Sequence, residues 1–125
     1  MGLSSNELRI GNLVKKSGSN KSYIITLERF WKHYNTADAF YYLEPIPLTE
    51  EILLKCGFVK EQNQNGRNRF ELGLYIVYLE TEHSQPSFHF KAMPDFFPEL
   101  TEIHYLHQLQ NLYYSLTGQE LNIEL

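Results

Sequence analysis

Apolar and polar positions along the chain keep changing period, from two to three or four and back again. Residues 8–16, LRIGNLVKK, read as a strand, and 22–30, SYIITLERF, rich in β-branched and aromatic side chains, as its partner. Between them KSGSNK supplies Gly18 and Asn20 for the turn. Gly11, inside the first stretch, predicts a bulge or a close backbone approach. AFYYLEPI (39–46) predicts a third strand, stopped by Pro45 and Pro47, which an inner ladder does not tolerate.

PLTEEILLKCGF (47–58) has the marks of a short helix at both ends. Thr49 suits the N-cap, Glu50 and Glu51 complement the positive end of the dipole, and Lys55 lies near the negative end. Leu48 and Leu53 occupy the two positions of a hydrophobic staple, and Gly57 suits the left-handed residue after the cap.

Strands follow. FVKEQ and RNRFEL flank NQNG, a hairpin signal with Asn65-Gly66 at its turn. LYIVYLE (74–80) is apolar on both faces, as in a central strand. SFHFKAM (87–93) alternates, with Phe88, Phe90 and Ala92 on one face and Ser87, His89 and Lys91 on the other. After the prolines of MPDFFPEL, the pattern predicts a helix from about residues 98–101 to Gly118, and ELNIEL a last short strand.

On a helical wheel of that last helix, Leu112, Tyr105, Leu116, Leu109, Tyr113 and Leu106 share one arc of roughly 120°, the width of a core-facing stripe. His104, Gln108, Asn111 and Ser115 form a polar column. Ile103, His107, Gln110 and Tyr114 form a third, mixed column. That column either lies under a covering loop or sheet or offers a contact to another protein, since aromatic residues anchor interfaces.

Composition adds limits. At 125 residues the chain is expected to be one domain, residues 1–125, large enough to bury a core without staples. Its lone Cys56 forms no internal disulfide, the N-terminus lacks the basic and apolar regions of a signal peptide, and no apolar run spans a bilayer. These features predict a cytoplasmic protein. Net charge is −4, divided as +2 over residues 1–48 and −6 over 49–125, which argues against broad affinity for phosphate backbones. The first third still interleaves Arg9, Lys15, Lys16, Lys21, Arg29 and Lys32 with Tyr23, Phe30, Trp31 and Tyr34, a pattern able to hold a single nucleic-acid strand.

Reactive chemistry has little support. His104 and His107 lack a third ligand one turn away, so no metal is expected. Cys56 ends a helix whose dipole opposes a thiolate, and Glu50 and Glu51 are adjacent and face apart. His83 and His89 are too far apart for a local ligand set. No phosphate-binding glycine loop, nucleophile elbow or zinc-protease helix is present. The pattern predicts no cofactor and no enzyme.

Three stretches, NELRIGNLV, PIPLTEEILLKCGF and HQLQNLYYSLTGQEL, together resemble small uncharacterised proteins of Bacteroidetes genomes and their phages or mobile elements. The resemblance implies a bacterial cytoplasm and brings no activity, cofactor or catalytic residue with it.

The expected fold is α+β: a mostly antiparallel twisted sheet, barrel-like at most in its first third, packed on one long C-terminal helix, plus one short helix. The expected function is that of a non-enzymatic accessory protein acting by protein–protein contact, to itself or to a host or phage partner, through Ile103, His107, Gln110 and Tyr114. Two alternatives stand beside it. One is single-stranded nucleic-acid binding through Lys15, Lys16, Lys21, Arg29 and Trp31; the other is sequestration of a small molecule or nucleotide.

Overall fold

The structure, a computed structural model, describes residues 8–28, 43–61, 68–80, 87–92 and 101–124. The fold is α+β, and the described residues include eight strands and two full helices. The strands form two antiparallel sheets rather than one, and neither closes into a barrel among the described residues. Contacts divide the chain into two compact units, residues 1–47 with 105–121 and residues 48–104 with 122–125.

In the first unit, β1 (Leu13–Lys16) lies between β2 (Ser22–Ile24) and β3 (Leu43–Glu44). Register pairs Leu13 with Ile24, Val14 with Tyr23 and Lys15 with Ser22. β1 and β2 are shorter than the patterns 8–16 and 22–30 predict, and residues 39–42 of the third pattern lie outside the described residues. Residues 9–12 turn back, with the Asn12 N–H donating to the Arg9 carbonyl at 3.0 Å. Leu8, Val14, Ile25 and Leu43 make a buried core cluster, with Tyr23 packed on it.

The long helix belongs to this unit and packs on β1. This C-terminal helix spans Leu106–Thr117 and is capped by Gly118. It begins later than the predicted 98–101. Its entry is held by the Gln108 side chain, which accepts from the Tyr105 N–H at 3.1 Å, and by the Leu106 N–H, which donates to the Ile46 carbonyl at 2.9 Å.

In the second unit, α1 (Glu50–Lys55) precedes a five-stranded sheet of order β4 (Val59–Glu61), β5 (Asn68–Leu72), β6 (Tyr75–Glu80), β7 (Ser87–Ala92) and β8 (Thr101–Ile103). With that order fixed, the C-terminal helix is α2. β8 accounts for the residues expected to open α2: Ile103 pairs with Phe88 and Thr101 with Phe90. ELNIEL adds no strand over residues 120–124.

Helix α1 follows its local signals closely. The Thr49 hydroxyl accepts from the Ile52 N–H at 3.1 Å. Leu48 and Leu53 are both buried, as a staple requires. The Gly57 N–H donates to the Leu54 carbonyl and the Phe58 N–H to that of Leu53, a Schellman ending that needs the positive φ of 94° at Gly57.

One face of the five-stranded sheet is apolar and buried: Phe70, Val77, Leu79, Phe88, Phe90 and Ile103. Glu50 in the first turn of α1 meets Lys60 at 3.2 Å and Asn68 at 3.4 Å, both on that face, so the helix begins over it. Strand β6 is central, as its two-sided apolar pattern predicts.

Candidate functional site

The mixed helix column is not an open contact surface. His107 and Gln110 are each only 2% exposed, and Ile103 is buried in strand β8 rather than carried on the helix. Only Tyr114, 42% exposed, still faces outward. At 100° per residue, the buried arc of α2 (Leu109, Leu106, Gln110, His107) is centred about 80° away from the predicted leucine stripe. Leu116, expected in the core, is 40% exposed.

Polar satisfaction explains the rotation. Gln110 Oε1 accepts from the Leu13 N–H at 2.8 Å, and its Nε2 donates to the Gly11 carbonyl at 3.2 Å. Asn12, fully buried, donates through Nδ2 to Asn111 Oδ1 at 2.8 Å, and its own Oδ1 accepts from the Arg9 N–H at 2.6 Å. A buried amide is tolerated when its groups are paired, and here they close the free ends of a turn.

Arg9 completes the arrangement. Its guanidinium binds both carboxylate oxygens of Glu120, at 2.8 and 2.7 Å, and donates through Nε to Asn111 Oδ1 at 3.1 Å. The Tyr114 ring lies 4.3 Å from Arg9 Cζ. Hydrogen bonding to Glu120 pushes the Arg9 pKa up, against the opposing cost of burial. A planar, two-pronged pair stacked on an aromatic face suits arginine and not lysine. The RIGN turn and the QNLYY segment thus form one polar clasp inside the first unit. Its groups satisfy one another, so it holds structure and leaves no reactive atom.

The lysines of the alternative reading are partly engaged. Lys15 Nζ is 3.9 Å from Glu44, Lys16 Nζ lies 4.8 Å from the Tyr23 ring, and Lys21 is exposed on the turn. Arg29 and Trp31 lie outside the described residues, as does His83.

On the second unit, register creates a row that no single segment displays. Glu61, Arg69, Tyr78, His89 and Glu102 stand side by side across all five strands, on the face opposite Phe70. Arg69 pairs with Glu71, His89 Nε2 is 3.2 Å from Ser87 Oγ, and Glu80 is 3.8 Å from the same nitrogen. The alternation in SFHFKAM announces His89 on this face; its neighbours follow only once the strand order is known.

At the β4 edge, the hydrogen bond and charge of Glu71 push the Glu61 pKa up, with Arg69 pulling the other way. A carboxyl whose pKa is higher in the folded state binds more protons there, so its contribution to stability falls as pH rises through the carboxylate range. Glu61→Gln should therefore melt higher than the parent at neutral pH, with the gap closing once both carboxyls are protonated. Parallel melting curves across that range check it; a lower melting temperature for the variant at neutral pH would show that the two carboxylates do not oppose each other.

Cys56 is buried, and burial pushes its thiol up to about 12, so it stays protonated and unreactive near neutrality. Among the described residues no group of three His, Cys, Asp or Glu is placed to hold a metal, and no helix is long and apolar enough to cross a membrane.

Exposed apolar side chains gather at one end of the five-stranded sheet. Leu54 is 50%, Val59 65% and Leu74 58% exposed. Val59 is paired with Glu71, next to Leu72, and Leu74 lies in the turn that joins Leu72 to its partner Tyr75. Leu54 precedes Gly57, whose Cα region approaches Leu72. No family model, no curated protein and no solved structure matches this chain.

Proposed function

We propose that the protein is a non-enzymatic accessory protein that works by binding another protein, in the setting of a phage or mobile element. The single observation that supports this reading is the apolar rim of Leu54, Val59 and Leu74 beside edge strand β4. Three large side chains at half exposure or more, grouped at one sheet end, resemble an interface more than scattered surface leucines. The rim takes over the role first expected of Ile103, His107, Gln110 and Tyr114, of which the first three are buried and Tyr114 lies against Arg9. The phage or mobile-element setting rests on the resemblance of the three quoted stretches.

The test is affinity capture from bacterial lysate, with and without nuclease, comparing the parent chain with a Leu54→Gln, Val59→Lys, Leu74→Gln variant. All three positions are exposed, so the variant should keep its melting temperature. Proteins retained by the parent should fall by roughly ten-fold or more on the variant, since a few central apolar anchors carry most of an interface's energy. Equal retention on both chains, or capture that disappears with the nuclease, would remove the rim from consideration.

A further inference from the structure

We infer that the tip of the β1–β2 hairpin is a contact for single-stranded nucleic acid, made through the phosphate backbone. This stands apart from the protein contact above and involves a different unit.

Charge segregation is the starting observation. Between Glu7 and Glu28 the chain has no acidic residue, while Arg9, Lys15, Lys16 and Lys21 lie in that interval. Glu120 takes up Arg9. The remaining cations all sit on one hairpin of a chain whose net charge is −4.

The hairpin presents them on a built turn. β1 ends at Lys16 and β2 opens at Ser22. The Ser19 N–H donates to the Lys16 carbonyl at 3.0 Å and the Lys21 N–H to Ser19 Oγ at 3.2 Å, which orders the turn backbone between the two lysines. Lys16, Ser17, Gly18, Asn20 and Lys21 are exposed. A Cβ built on Gly18 would meet nothing within 4 Å, so an incoming chain can approach the turn backbone closely. Glu44 competes for Lys15, leaving Lys16 and Lys21 to carry the contact. Tyr23 packs on the core cluster, so no base stacking is invoked and the contact is blind to sequence.

Charge density decides which nucleic acid fits. A duplex carries one charge per ~1.7 Å of axis, a single strand about half that density. An acidic protein approaching with two or three lysines is repelled less by the single strand. Neutralising two to three of its phosphates gives a slope of log K against log salt of about −1.4 to −2.

Fluorescence anisotropy with a labelled oligothymidylate, titrated with the full chain from about 20 to about 200 mM salt, reads this slope directly. Binding should weaken by roughly ten-fold or more over that range, and exceed binding to a duplex of equal length. Lys16→Gln with Lys21→Gln should lose most of the low-salt affinity and flatten the slope, while Lys15→Gln loses less. Circular dichroism and melting temperature should stay at parental values in both variants. Absence of binding at the lowest salt overturns the proposal, as does equal affinity of the double variant. Tighter binding to the duplex rejects the single-strand assignment, and tighter binding to phosphatidylserine vesicles would make the tip a lipid contact instead.

Discussion

Gln110→Met should lower the unfolding free energy by about 2–4 kcal/mol, the cost of leaving two part-buried backbone groups without partners and a buried amide with one partner fewer. Methionine keeps the unbranched shape of glutamine and fills the same space. It removes the oxygen that accepts from the Leu13 N–H and the amide that donates to the Gly11 carbonyl. It also leaves Asn12 Nδ2 with one acceptor fewer, because Gln110 Oε1 lies 3.4 Å from it. At 2% exposure, water cannot replace these bonds without opening the helix from β1. Chemical denaturation of parent and variant checks the figure. A loss below about 0.5 kcal/mol would place Gln110 among ordinary surface residues. It would also return the Ile103–His107–Gln110–Tyr114 column to consideration as a contact face.

The buried side of α2 shows where sequence reading reaches its limit. A hydrophobic wheel assumes that polar residues face water, and for Leu106 and Leu109 the assumption is harmless. Gln110 breaks it, because a side-chain amide can go inside when backbone groups of a distant turn need partners. Those groups belong to residues 11–13, about a hundred positions away, and nothing near Gln110 announces them. The start of α2 departs from its local pattern for a related reason. Thr101–Ile103 could continue a helix by local preference, yet the β7 ladder claims them. By contrast, Thr49, Leu48, Leu53 and Gly57 specify α1 through contacts within one helix length, so that element was legible in full. The same division holds for the sites. The lysines of the β1–β2 hairpin are neighbours in sequence and were visible at once. The Glu61–Arg69–Tyr78–His89–Glu102 row exists only through the register of four strand pairs.

Gly11→Ala should cost about 2–4 kcal/mol, from two separate sources. The first is conformational. Gly11 has φ of 100°, in the positive region that a residue with a Cβ adopts only under strain. The second is steric: an added Cβ would lie 2.6 Å from Glu120 Oε2 and 3.3 Å from Arg9 Nη1. Neither neighbour is free to swing away without loss, since each holds the other in the two-pronged pair, and Arg9 also reaches Asn111. The two sources can be separated. Glu120→Ala alone removes a partly exposed ion pair, with side chains 26% and 44% exposed, and should cost no more than about 1 kcal/mol. In the double variant the clash with the carboxylate is gone and only the backbone strain remains. The two single losses should therefore sum to more than the double loss, by up to about 1 kcal/mol, the cost of releasing the ion pair to relieve the clash. Strict additivity would mean that the carboxylate yields at no cost and that strain alone requires the glycine. A loss from Gly11→Ala below about 0.5 kcal/mol would show that neither source operates, and the close approach of the RIGN turn to Glu120 would have to be abandoned.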